Sequence, residues 1–158
     1  MGVGELYSAY GAKLLRAALR VTGSAADAEE AVAEAFLALV RNPGLLEEGR
    51  DPWPYLHRAV VNRALNQLRR RRRAPEPLPA SLAAAPGRDR ELAERLRAGV
   101  ARLTPRQAEV FTLFHFEGVP HDEIARLLDI RPSTVRVHLH DATQALRRDF
   151  ESREARHA

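Results

Sequence analysis

Apolar residues recur at three- and four-residue steps along most of the chain, the period of amphipathic helices. Leu6, Tyr7, Tyr10, Leu14, Ala18 and Val21 trace a first stripe and predict a helix from about Val3 to Val21. Thr22-Gly23-Ser24 stops it. Ser24 then suits the N-cap of a second helix, with Asp27 three residues on in a near capping-box pattern. That helix runs to about Arg41 and buries Ala28, Val32, Ala35, Phe36 and Leu39. Asn42-Pro43-Gly44 and Gly49 mark a loop as far as Pro52, with room for a short turn at Leu45 to Glu48. A third helix starts near Pro52, which suits a first helical turn, and ends in Arg69 to Arg73. Its core side is predicted to be Tyr55, Leu56, Ala59, Val60, Ala64 and Leu68.

The pattern resumes after a break. Ala74 to Gly87 is rich in Pro and Ala and reads as an extended linker. Leu92, Leu96 and Val100 restore the helical period over Arg88 to Leu103. Three further helices follow, at about Thr104 to Phe116, His121 to Leu128 and Pro132 to Phe150. Gly118 with Pro120, then Asp129 to Pro132, separate them. A short helix, a tight turn and a longer helix is the spacing of a helix-turn-helix. Ile124, Ala125 and Leu128 share one face of the shorter helix, and Val135, Leu139, Ala142 and Leu146 share one face of the longer. Ser133, Thr134, Arg136, Val137 and His140 are left to face outward, with His138 at the border. An outer face that opens with Ser, Thr and Arg is what reading a DNA major groove requires.

The predicted fold is therefore all-α. Two small helical domains, 1–73 and 88–158, are joined by a Pro/Ala-rich linker at 74–87.

Charge sharpens this picture through its distribution. Up to Arg73 there are 12 basic and 8 acidic residues, or +4; from Thr104 onward there are 8 and 9, or −1. The helix-turn-helix thus lacks the positive field of a self-sufficient DNA binder. Basic charge gathers instead at Arg69 to Arg73, where a polyanion would relieve the mutual repulsion and release counterions. Lys13 is the sole lysine. The arginine bias has two open explanations: the codon usage of a GC-rich genome, or guanidinium forks selected for phosphate and guanine edges. Asn62 and Asn66, four apart on one helical face, are either binding groups or idle surface residues. Glu29, Glu30 and Glu34 form a solvated face or a docking face.

Enzymatic chemistry finds no support. There is no glycine-rich phosphate loop and no nucleophile elbow, and there is no cysteine. His138 and His140 are two apart on a helix and point to different faces, which makes them a poor metal pair. No cofactor or metal is expected. No apolar run of membrane-spanning length and no basic-then-apolar leader stands in the chain, so a cytoplasmic protein without membrane insertion is expected.

Taken in order, the segments resemble the extracytoplasmic-function group of the bacterial sigma-70 family. SAADAEEAVAEAFLALVR resembles the second-region docking helix. PYLHRAVVNRALNQLRRRRR resembles the promoter-melting helix that reads the minus-ten element. LTPRQAEVFTLFHFEGVPHDEIARLLDIRPSTVRVHLHDATQALR resembles the fourth region. The resemblance implies a promoter-specificity subunit without catalytic activity. Its partners would be core RNA polymerase, through the β′ clamp coiled coil and the β flap, promoter DNA and an anti-sigma factor. It implies polymerase docking by Glu30, Ala33 and Glu34. The minus-ten strand would fall to Asn62, Asn66, Arg69, Arg70, Arg71 and Arg72. The minus-thirty-five element would fall to Arg131, Ser133, Thr134, Arg136, Val137 and His140. Several positions depart from the family pattern: Glu30 replaces an aspartate, Ala33 an amide, Tyr55 a tryptophan and Asp141 an arginine, and Ala142-Thr143 replaces a more basic run. Two rivals remain: a sigma-like mimic that binds another protein, and a stand-alone helix-turn-helix regulator of transcription.

Overall fold

The computed structural model describes residues 2–73 and 87–157, with the side chains of 72, 73, 88 and 157 outside that description. The expected linker at 74–87 therefore lies outside the described residues, except for Gly87. The described elements are helical throughout. The chain divides into two compact units, Met1–Glu76 and Pro77–Ala158.

In the first unit, α1 (Val3–Thr22), α2 (Ala25–Arg41) and α3 (Trp53–Arg73) pack against one another. A single 3-10 turn, Pro43–Leu45, lies in the loop before α3. Local chemistry sets the boundaries. Gly23 takes φ 67° and closes α1 in the left-handed region, where a side chain would be strained. Ser24 accepts a hydrogen bond from the Asp27 amide and opens α2. Only half of the expected capping box forms. The Ser24 amide donates to Thr22 Oγ1, and the Asp27 carboxylate turns to Arg71 instead. The Asp51 carboxylate accepts from the Trp53 amide at the start of α3.

The buried side of α2 is the expected one, with Asp27 and Ala31 added. The stripes on α1 and α3 need correction. Tyr7 is exposed, and Tyr10 and Tyr55 are half-buried. Gly11 and Ala17 fill the α1 interface in place of the tyrosines. On α3, Trp53, His57, Val61 and Leu65 are buried beside the predicted Leu56, Ala59, Val60, Ala64 and Leu68. Helix α3 meets both α1 and α2, so its buried surface is far wider than a single stripe.

In the second unit, α4 (Gly87–Val100), α5 (Pro105–His115), α6 (His121–Leu128) and α7 (Pro132–His157) form the helix-turn-helix and its support. Thr104 and Gln107 make a reciprocal capping box at the start of α5. The T-x-x-Q signal is visible in the sequence. Asp129 ends α6 at φ 53°, and the Ile130 amide returns to the Ala125 carbonyl, which produces the tight turn. Val110, Leu113, Ile124, Ala125, Leu128, Val135 and Leu139 form the core beneath that turn. Each Val, Leu or Ile among them contributes about 1.5–3 kcal/mol by burial. Helix α7 continues past the predicted end at Phe150 to His157. Asp149 is buried and paired with Arg102 and Arg153, which holds this extension against the α4–α5 corner.

Two buried features generate predictions. His57 is 1% exposed, beside the Trp53 ring, whose face is covered by Lys13 Nζ at 3.8 Å. Neither imidazole nitrogen has a hydrogen-bond partner among the described residues. Burial, reinforced by the Lys13 charge, lowers the His57 pKa to about 4. The folded state thus holds the neutral ring where the unfolded chain would protonate. The stability of the first unit should be flat above pH 6.5, the ordinary value, and fall as pH drops from there to about 4. The loss should reach about 3 kcal/mol. Denaturant titrations across this range check it, and His57→Leu should remove most of the slope. In the second unit, a Cβ on Gly99 would run into Leu146 Cδ2 where α4 crosses α7. Gly99→Val should lower stability by about 1–3 kcal/mol, with partial recovery when Leu146→Ala is added. Thermal melts of the single and double variants read this out.

Candidate nucleic-acid interface

Three outward faces carry the residues singled out in the sequence. The first is on α2. Glu30, Ala33 and Glu34 are all exposed and share one side of the helix. Leu37 and Val40 continue that side toward the C-terminus, at 49% and 58% exposure. Tyr7 of α1 meets Phe36 edge-on at 5.2 Å and remains largely exposed. The face is therefore acidic at one end and apolar at the other, which suits a basic partner surface that also offers apolar side chains. Leu37 and Val40 fall off the buried stripe, and that offset was their only mark in the sequence.

The second face is on α3. Asn66 and Arg70 are exposed, and Asn62 and Arg69 are half-buried. These four lie within a narrow arc, at about 100° per residue. The rest of the helix surface is largely committed to α1 and α2. Arg71 does not join this arc. It lies about half a turn from Asn62 and pairs with Asp27, Nε to Oδ2 at 2.5 Å. The Arg72 side chain lies outside the described residues. Amide and guanidinium groups in one line offer base-edge hydrogen bonds beside phosphate contacts, the combination that single-stranded nucleic acid uses.

The third face is the start of α7. The Arg131 carbonyl accepts from the Thr134 and Val135 amides, so Arg131 stands at the entry to the helix. Arg131, Ser133, Arg136, Val137 and His140 are exposed, while Thr134 and His138 are half-buried. Val135 and Leu139, between them, are core. Asp141 is also exposed, at the border of this face. Arginine at the second turn can reach a guanine edge, Val137 can meet a thymine methyl, and the helix start favours a phosphate.

A cleft of about 620 Å³ in the first unit is lined by Val3, Leu6, Leu39, Leu46 and Pro52 with Glu47 and Glu48 at its edge, and none of the expected residues reaches it. Among the described residues no group of His, Asp or Glu could hold a metal ion, and no helix is long and apolar enough to cross a membrane.

Comparison with known proteins bears on both units. Residues 6–74 match the family model described as sigma-70 region 2, and residues 93–146 match that described as sigma-70, region 4. The extracytoplasmic-function RNA polymerase sigma factor SigE of Mycolicibacterium smegmatis is 30% identical over 154 residues. That alignment covers 90% of this chain, which spans only 59% of SigE. The RNA polymerase sigma factor CarQ of Myxococcus xanthus is 28% identical over 150 residues, covering 90% of this chain and 86% of CarQ. Among solved structures, CnrH in complex with the cytosolic domain of CnrY matches with a TM-score of 0.58 at 19% identity. It covers 95% of this chain and 88% of CnrH, and shows the shared fold.

Proposed function

We propose, for a chain that belongs to the extracytoplasmic-function group of the sigma-70 family, the role of a promoter-specificity subunit of RNA polymerase. It binds core enzyme in the cytoplasm and directs initiation, without catalysing a reaction itself. The α2 face of Glu30, Ala33 and Glu34 docks on the β′ clamp coiled coil. Asn62, Asn66, Arg69 and Arg70 hold the unpaired minus-ten strand. Arg131, Ser133, Thr134, Arg136, Val137 and His140 read the minus-thirty-five element, with the second unit steadied by the β flap. An anti-sigma factor is the natural antagonist of such a protein.

The observation that carries this reading is the outer arc of α3. It lines up amides and guanidiniums on the side that α1 and α2 leave open. A charge of −1 from Thr104 to Ala158 supports the division of labour. A domain without a positive field binds duplex weakly alone. Tethered to polymerase, it gains effective concentration without a new contact. DNA recognition thereby becomes conditional on the enzyme.

Addition of the purified protein to core polymerase should yield initiation at defined sites on genomic DNA from its host. Polymerase binding without initiation would favour a mimic, and shifts of duplex DNA without polymerase would favour a stand-alone regulator. Arg136→Ala should reduce transcription from promoters that depend on the upstream element, since one base contact is worth roughly 1–3 kcal/mol of discrimination. Unchanged promoter choice removes Arg136 from the reading set. Asp141→Arg should tighten upstream binding by replacing a repulsive charge beside phosphate with an attractive one. Weaker binding in that variant would mean that Asp141 makes a favourable contact with DNA.

A further inference from the structure

The fold divides the Arg69–Arg73 run. Asn66 and Arg70 stand outward, one turn apart. Arg71 points the other way and grips the first turn of α2. Its Nε lies 2.5 Å from Asp27 Oδ2, and its Nη2 donates to Asp27 Oδ1 at 3.0 Å. The same Nη2 reaches Ser24 Oγ at 3.4 Å. The Asp27 side chain is only 13% exposed. Ser24 also receives the Asp27 amide, so one hydroxyl caps α2 and contacts the guanidinium. A guanidinium hydrogen-bonded to one oxygen of a largely buried carboxylate and in ion-pair contact with the other is held in orientation as well as distance.

This geometry answers a physical difficulty. A helix that ends in consecutive arginines repels itself and gains little from packing in its last turn. Neutralising one arginine against a partner helix removes part of that repulsion and secures the turn. The outward residues then keep a fixed azimuth relative to the bundle.

We propose that the Asp27–Arg71 clasp is the positioning element of the reading end of α3. Arg71 makes no DNA contact itself; it seats the last turns of α3 on α2 and holds Asn66 and Arg70 in the register that the unpaired strand meets. This rests on the assignment of α3 to the minus-ten strand under "Proposed function", and it replaces the expectation that Arg71 is a phosphate contact.

The test uses the full chain bound to core polymerase and a labelled promoter fragment with an unpaired minus-ten region. Asp27→Asn, Arg71→Lys and the double variant are compared with Asn66→Ala and Arg70→Ala, with circular dichroism confirming helix content at the assay temperature. Asp27→Asn and Arg71→Lys should each weaken strand binding about tenfold, the equivalent of one lost charge-assisted hydrogen bond. The double variant should be no worse than either single, because both break one interaction. Affinity for core polymerase should stay within about twofold, since the outer α2 face is untouched. The slope of log affinity against log salt should not change, whereas a lost phosphate contact lowers it by about 0.7–0.9. Wild-type or tighter strand binding by Asp27→Asn overturns the clasp and returns Arg71 to the phosphate contacts. So does a reduced salt slope in Arg71→Gln, a further variant that removes the charge Arg71→Lys keeps, or an equal loss of polymerase affinity in Asp27→Asn. If Asn66→Ala and Arg70→Ala leave strand binding unchanged, the minus-ten assignment of α3 fails, and the proposal with it. An effect in those two with none in Asp27→Asn rejects the clasp alone.

Discussion

Helix α3 is at once the centre of the first bundle and the carrier of the outer arc proposed to read the minus-ten strand. Leu56, His57, Val60, Val61, Ala64, Leu65 and Leu68 are buried against α1 and α2. What remains is a narrow outward arc with Asn62, Asn66, Arg69 and Arg70. Every other feature of the unit follows from that division. The buried side is almost wholly apolar, His57 and Gln67 being the exceptions whose polar atoms lack a hydrogen-bond partner among the described residues, while the outer arc is polar.

Charge is handled by the same economy of surface. The acids of α2 divide by azimuth: Asp27 points inward to Arg71, while Glu30 and Glu34 point outward with Leu37 and Val40 beside them. One helix thus supplies both an internal ion pair and the external face proposed to dock on polymerase. The second unit takes another course. Its helix α7, proposed to read duplex, stands on a small apolar core, and the net charge from Thr104 onward is near balance. Under the proposed role, affinity for duplex comes from attachment to a larger assembly, which makes selectivity depend on the partner being present.

Much of this was legible in advance. Helix starts and stops depend on local chemistry, and so Ser24, Gly23, Gly118, Pro120 and Pro132 marked them correctly. The helix-turn-helix core was readable because α6 and the first half of α7 each bury one face with a clean period. Less legible was any helix buried on more than one side. Periodicity assumes a single stripe, so it admitted Tyr55 to the core and missed Trp53, His57, Val61 and Leu65. The same assumption gave Tyr7 an interior place when it lies at the edge of Phe36, largely exposed. The end of α7 was set too early. Beyond Phe150 the apolar signal stops, and ion pairs from Asp149 to Arg102 and Arg153 continue the support.

By itself the sequence determined the helices, their caps, the two-unit order and the family, because each of these depends on neighbours within a few residues or on motifs in series. The tertiary structure decided which of several identical side chains does what. Five arginines in a row look alike in sequence, yet Arg71 faces a buried carboxylate 44 residues away and Arg70 faces solvent. The physical reason is that a side chain's role is set by the dielectric and the partner at its azimuth. Azimuth relative to a neighbouring helix exists only once the helices have packed.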